Sequence, residues 1–237
     1  MKFRLVLGTA ILNLCVVAAS PSLGPADTIV ENYCTAAQAQ AQALRAASMD
    51  VEIDASLPKL KKHGRLHALR RISPLGLIRY EKAQFEGDGL VNKEIISRYL
   101  SAEVEAQKQQ SPALAVTPQN YKFKYKGINR STGRDVYVFE VSPRQKRESL
   151  FKGEVWIDTT TFLKVQESGY LVKNPSMFLK KVAFIRKYEI RDGISVPRQV
   201  QSFADVRFVG KAELTIDFSN FSIEPLKPGL AAELDGQ

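Results

Sequence analysis

From Met49 to Ile223 the hydrophobic pattern runs mostly at a period of two, and this alternation limits the fold more than any motif does. Val51, Ile53, Ala55 and Leu57 share one face, Glu52, Asp54 and Ser56 take the other, and Pro58 ends the segment. Lys59–Phe85 reads as two further strands turning at Ser73-Pro74-Leu75-Gly76. Tyr121–Asn129 and Asp135–Val141 flank a polar turn with Gly133, and Phe151–Asp158 and Phe162–Tyr170 flank three threonines. Met177–Arg191, Ile194–Val209 and Lys211–Ile223 complete about nine or ten strands, joined mostly by short turns and therefore antiparallel.

Two segments depart from that period. Asp27–Met49 is rich in Ala and Gln and lacks Gly and Pro. It reads as a helix capped at Asp27-Thr28, with Ile29, Tyr33, Ala36, Ala37, Gln40 and Leu44 on one stripe. After the turn Gly87-Asp88-Gly89, Asn92 is expected to cap a second helix whose stripe is Ile95, Ile96, Tyr99, Leu100 and Val104. No repeat and no long linker divides the chain. The expected class is α+β, mainly antiparallel β, with one domain over residues 27–225 and a tail over 226–237.

Tyr121, Lys122, Phe123, Lys124, Tyr125 and Lys126 alternate ring and cation without a slip. Such interleaving suits a single-stranded nucleic-acid platform. It equally describes a half-buried strand with rings inward and ammonium groups in water. The N-terminus decides between them. Lys2 and Arg4 precede Leu5–Ala19, which carries no charge, and Gly24-Pro25-Ala26 follows. That order is a cleavable secretory signal, cut after Ala26 with Ser20 and Ser22 as alternatives. The uncharged run is shorter than the ~18–20 residues of a spanning helix. Cys15 follows Leu12-Asn13-Leu14 rather than the small residues that lipidation wants. An exported chain does not meet nucleic acid, so the lysines are expected on a solvated outer face.

The net charge is +9, and only two of the 34 Lys+Arg fall in the leader. The partners this favours are anionic headgroups and envelope polymers. The most basic segment, Lys59–Lys82, offers Lys61, Lys62, Arg70 and Arg71 as candidate membrane contacts. Cys34 is the one cysteine beyond the leader, so no internal disulfide is expected and it reads as a small apolar helix residue.

Catalytic constellations are scarce. His63 and His67 are the only histidines, and residues four apart on a strand lie ~13 Å apart, too far to share an ion. There is no G-x-S-x-G elbow, no H-E-x-x-H and no phosphate-cradling glycine loop. A hydrolase is disfavoured, and no enzyme activity, metal or cofactor is expected.

The most distinctive stretch is GEVWIDTTTFLKVQESGYLVKNPSMFLKKVAFIRKYE, with Gly153, Val155-Trp156-Ile157-Asp158 and a threonine turn at Thr161-Phe162. With a leader, an N-terminal helix and a many-stranded antiparallel sheet, the chain resembles the LolA/LolB-like outer-membrane lipoprotein-sorting proteins. The resemblance covers most of Asp27–Ile223. It implies an incomplete, strongly curved β-barrel, a half-barrel with helices covering its concave face and acyl chains held inside. A sheet this large must curl or be covered in any case, and two helices are little cover for it. The candidate cavity wall is Val51, Ile53, Leu66, Phe123, Tyr125, Tyr137, Phe139, Val155, Ile157 and Val165. The resemblance also implies a cavity arginine that latches the lid helices, with Arg65, Arg70, Arg71 and Arg79 all open. The expectation is a periplasmic carrier or sensor of lipid or lipoprotein acyl chains; the alternative is an envelope sensor or scaffold that binds another protein.

Overall fold

A computed structural model describes residues 24–108, 114–130, 133–174, 179–207 and 210–223. The apolar core of the expected signal peptide, Cys15 and the expected tail over 226–237 lie outside these residues. Ten strands form one sheet: β1 (Ala47–Leu57), β2 (Lys62–Ile72), β3 (Ile78–Gly87), β4 (Tyr121–Asn129), β5 (Val136–Pro143), β6 (Phe151–Asp158), β7 (Lys164–Leu171), β8 (Leu179–Arg191), β9 (Ile194–Val206) and β10 (Gly210–Ile223). Their order is β3-β2-β1-β10-β9-β8-β7-β6-β5-β4, and every neighbouring pair is antiparallel. The chain is a meander whose first strand pairs with its last. Among the described residues β3 and β4 are left as unpaired edges, so the barrel stays open.

Helix α1 (Pro25–Ala43) crosses the concave face before β1. It starts two residues before the expected mature N-terminus. Pro25 sits at the first helical position, where no N–H is needed, and the Gly24 N–H is taken by the Asp27 carboxylate at 3.3 Å. It stops at Ala43, six residues short of the expected Met49, because Ala47–Met49 already belongs to β1. The helical passage between the two edge strands is α2 (Gly89–Val91), a π-helical turn (Asn92–Ser97) and α3 (Arg98–Lys108). Its cap is Asp88, whose carboxylate accepts from the Leu90 and Val91 N–H groups, not Asn92. Asn92 instead lies inside the helix against the sheet, its Nδ2 donating to the Glu86 carbonyl. Gly64 on β2 makes this approach possible: a Cβ there would stand 2.2 Å from Asn92 Oδ1. No described helix is long and apolar enough to cross a membrane.

The core is divided in two. One cluster joins Met49, Val51, Ile53, Leu66, Leu214, Ile216 and Phe218 to Val91 and Ile96 from the α2–α3 passage. The other gathers Tyr121, Phe139, Val141, Phe151, Val155, Ile157 and Phe184 under Val30 and Tyr33 of α1. Phe123 and Phe139 meet edge-on at 6.0 Å and Tyr33 approaches Phe123 at 6.4 Å, so the β4 rings do point inward. Lys122, Lys124 and Lys126 are exposed. The ring–cation alternation is the wall of a sheet.

Candidate functional site

Between the two clusters the sheet and its helices bound an open cavity of about 1380 Å³. That exceeds the roughly 300–1,000 Å³ of ordinary small-molecule pockets. Ile72, Ile78, Leu171, Val182, Phe184 and Leu214 make much of the sheet wall, while Ala37, Gln40, Ala41 and Leu44 of α1 and Ile95, Tyr99 and Ala102 of the α2–α3 passage form the roof. The Ala-Gln tract of α1 therefore presents small side chains to a space rather than a packed face.

None of the ten residues expected to line a cavity does so. Val51, Ile53 and Leu66 lie in the first cluster, and Phe139, Val155 and Ile157 in the second, each at most 2% exposed. Phe123 and Tyr137 pack against the second cluster, and Tyr125 at the open edge remains 40% exposed. Inward parity alone cannot tell a packed position from a lining one. Helices roof part of each half closely, and the strands between them keep the space.

The basic segment needs a second correction. Arg70 is not at the surface: it points into the concave face, 8% exposed, and pairs with Glu103 of α3 at 2.9 Å. Tyr80 donates to the same carboxylate. Arg70 thus ties a helix to the sheet from within. Burial opposes its charge, and Glu103 and Tyr80 more than compensate, holding its pKa above the usual guanidinium value. Lys62 pairs with Asp88 (3.1 Å), Arg71 with Glu81 (3.0 Å) and Arg65 with Asp54 (2.9 Å). Lys61 occupies an exposed left-handed turn position. The acids lie largely outside the segment, on β1 and in the turn after β3, so the local excess of cations overstates the charge of this face. His63 and His67 stand on the outer side of β2, His67 within 3.8 Å of Glu52.

The structure also assembles a charged group that the alternation conceals. β6 and β7 run in register from Phe151/Leu171 to Trp156/Gln166, and then Ile157 opposes Lys164. Val165 is the extra residue of a β-bulge, and it brings Lys164 and Glu167 to the same face although they are three apart. Arg186 of β8 lies directly across from Glu167. Lys164 Nζ reaches Glu167 Oε1 at 2.5 Å, Arg186 Nη1 reaches Oε2 at 3.4 Å, and the Tyr188 hydroxyl donates to Oε2 at 3.1 Å. Glu167 is 2% exposed and lies behind the cations that line the cavity. Burial would raise its carboxyl, but Lys164 and Arg186 outweigh that and hold it below the ordinary carboxylate range. Burial likewise works against both cations, and Glu167 carries them above their ordinary values. Tyr99 lies between this group and the Arg70–Glu103 pair: burial and Glu103 push its phenol up, while Arg186 and Arg70 pull it down.

The threonine turn proves to be scaffolding. Asp158 Oδ1 accepts from the Thr160 and Thr161 N–H groups and the Thr161 hydroxyl, and Phe162 adopts a left-handed conformation that starts β7 at Lys164 rather than at Phe162. Gly153 and Gly169 face each other across β6 and β7, where a Cβ on Gly153 would meet the Ser168 carbonyl at 1.9 Å. Cys34 is half-buried against the second cluster, and burial pushes its thiol up.

Comparison with solved structures gives loose likenesses over most of the chain. A DUF1329 family protein from Desulfovibrio piger is 14% identical, covering 84% of this chain and 94% of that one at a TM-score of 0.44. A putative outer membrane lipoprotein-sorting protein domain from Vibrio parahaemolyticus is 13% identical, covering 87% and 96% at 0.45. A LolA superfamily protein from Nitrosomonas europaea is 12% identical, covering 86% and 95% at 0.37. No curated protein matches the chain in sequence. A family of unknown function (DUF5686) matches residues 82–213, more than half of the sequence, and the chain belongs to that family.

Proposed function

We propose that the protein is a non-enzymatic, exported binding protein of the periplasm that takes an acyl chain, from a lipid or a lipoprotein, into the space under its sheet. One observation carries this reading: a cavity of about 1380 Å³, largely aliphatic and aromatic in its wall, lies beneath a helix with only two buried side chains, Val30 and Tyr33. Space of that size beside well-packed clusters is costly to leave unfilled, since its lining forgoes dispersion contacts. The leader pattern supports export. Native mass spectrometry of the exported protein tests the reading. The expected result is a co-purified lipid mass, or a lipid taken up after delipidation and re-exposure. Protein that carries none and takes up none would overturn it.

A second reading, a protein partner in the envelope, is favoured by the two open sheet edges. β3 exposes Phe85 (46%) and β4 exposes Tyr125 (40%) and Ile128 (45%), and unpaired edges with apolar side chains can accept an added strand. Under it, amide exchange at β3 or β4 slows in the presence of envelope extract; unchanged exchange at both edges argues against it.

A further inference from the structure

We infer that the cavity selects a chain that ends in an anionic group, a carboxylate or a phosphate, bound by Lys164 and Arg186 on the concave face. The inference rests on the acyl-chain reading and adds the chemistry of the headgroup. Its starting point is charge. Lys164 and Arg186 share the single carboxylate of Glu167, so the group carries one uncompensated positive charge in the wall of a largely apolar space. Both cations line that space and stay partly accessible, so a ligand anion can reach them and pair with the surplus charge.

Orientation supports the same chemistry. Glu167 is withdrawn behind the wall with its side chain 3% exposed, while Lys164 and Arg186 keep 25% and 41% of theirs accessible. Both cations are held in place by aromatic faces: Lys164 Nζ stands 4.7 Å from the centre of the Tyr188 ring, and the Arg186 guanidinium 4.4 Å from that of Phe184. Arg186 engages Glu167 through Nη1 alone, at 3.4 Å. A guanidinium is a planar fork of donors suited to a carboxylate or phosphate, and Arg186 lines the cavity. The arrangement depends on the Val165 bulge. With regular alternation Lys164 and Glu167 would lie on opposite faces, and only one of them would reach the cavity. Bulges that re-aim a side chain occur preferentially beside functional sites. The opposing pair is different in kind, because Arg70 is only 9% exposed and is matched one to one by Glu103. Of these two groups, only the one on β7–β8 has more cations than carboxylates.

The test uses the mature protein loaded with the neutral probe N-phenyl-1-naphthylamine and displaced by hexadecanoate, hexadecyl phosphate or hexadecanol below their aggregation limits. One or both anions should displace the probe at concentrations about tenfold or more below the alcohol, the scale of charge-assisted hydrogen bonds. The stronger of the two identifies the headgroup. Arg186→Met and Lys164→Met should each remove most of that preference while displacement by hexadecanol stays unchanged, which also reports that the variants fold. Arg186→Lys should keep a preference for an anion. Equal displacement by alcohol and acids in the unaltered protein would overturn the headgroup inference and leave the acyl-chain reading standing. A preference that survives both methionine variants would overturn the assignment to these residues. Displacement by none of the three chains would defeat the acyl-chain reading itself.

Discussion

The two halves of the sheet are roofed in different ways. On the β1–β2–β10 side the α2–α3 passage is fastened: Val91 and Ile96 are fully buried, Gly64 admits the helix against the strand, and Arg70 reaches up to Glu103. On the β4–β8 side α1 lies over the rings with two buried residues in 19, and its C-terminal half spans the cavity. There it is held at Gln40, whose amide donates to the Ser195 carbonyl at 2.6 Å and accepts from the Ser195 N–H at 2.9 Å. Full burial stabilises by about 1.5–3 kcal/mol per large side chain, whereas ordering a backbone costs about 1–2 kcal/mol per residue. Each roof contributes two buried side chains, so the difference lies in what else holds it: a buried ion pair and a close approach at Gly64 on one side, the Gln40 amide on the other. The comparison teaches that one helix is tied to the sheet along its length, while the other packs on the core through its N-terminal half and spans the cavity with the rest.

The largest expected effect breaks the fastened side. Glu103→Ala leaves the Arg70 cation buried without its carboxylate and should cost about 3–5 kcal/mol in urea unfolding. A cost below about 1 kcal/mol would mean that the two roofs are held alike. Next comes acid. Glu167 is held below its unfolded value of about 4.3, so its contribution is complete above that pH and is lost as pH falls through the lower folded value. Unfolding free energy of the unaltered protein should therefore fall more steeply below about pH 4 than that of Glu167→Gln; parallel curves would show that this carboxylate is not stabilised by folding. Loosening the cover is gentler. Gln40→Ala removes two hydrogen bonds and should cost about 1–2 kcal/mol, with exchange accelerated in α1 and unchanged in α3. Uniform acceleration in both helices would erase the distinction between them. Smallest of all, Lys124→Ala on the outer face of β4 should stay within about 0.5 kcal/mol.

Much of the fold could be read from alternation, because strands with one wet face state their parity residue by residue. Val51, Ile53 and Ala55 do so against Glu52 and Asp54, as do the β4 rings against their lysines. Helix ends were less legible, since Asn92 and Asp88 are both good caps and only the packing against Gly64 decides between them. The site was mostly hidden. Arg70 looked like one more cation in a basic run because its partner Glu103 lies 33 residues away. Lys164 and Glu167 looked like surface charges because a bulge has no signature in a two-residue period. One clue was present: Arg186 shares the inward parity of Phe184 and Tyr188, which marks it as a charge facing the wrong way for a solvated strand.

The central claim is that this sheet encloses usable space beside a packed core, and paired substitutions test it directly. Val182 lines the cavity on β8, whereas Val155 is 0% exposed in the second cluster. Binding of a fluorescent fatty acid and thermal unfolding are to be measured for the unaltered protein, Val182→Phe and Val155→Phe. The account predicts saturable uptake by the unaltered protein. It predicts uptake weakened about tenfold or more by Val182→Phe at a stability cost within about 0.5 kcal/mol, and a cost of about 1–3 kcal/mol from overpacking for Val155→Phe. Equal destabilisation by the two substitutions, with no uptake by the unaltered protein, would contradict it.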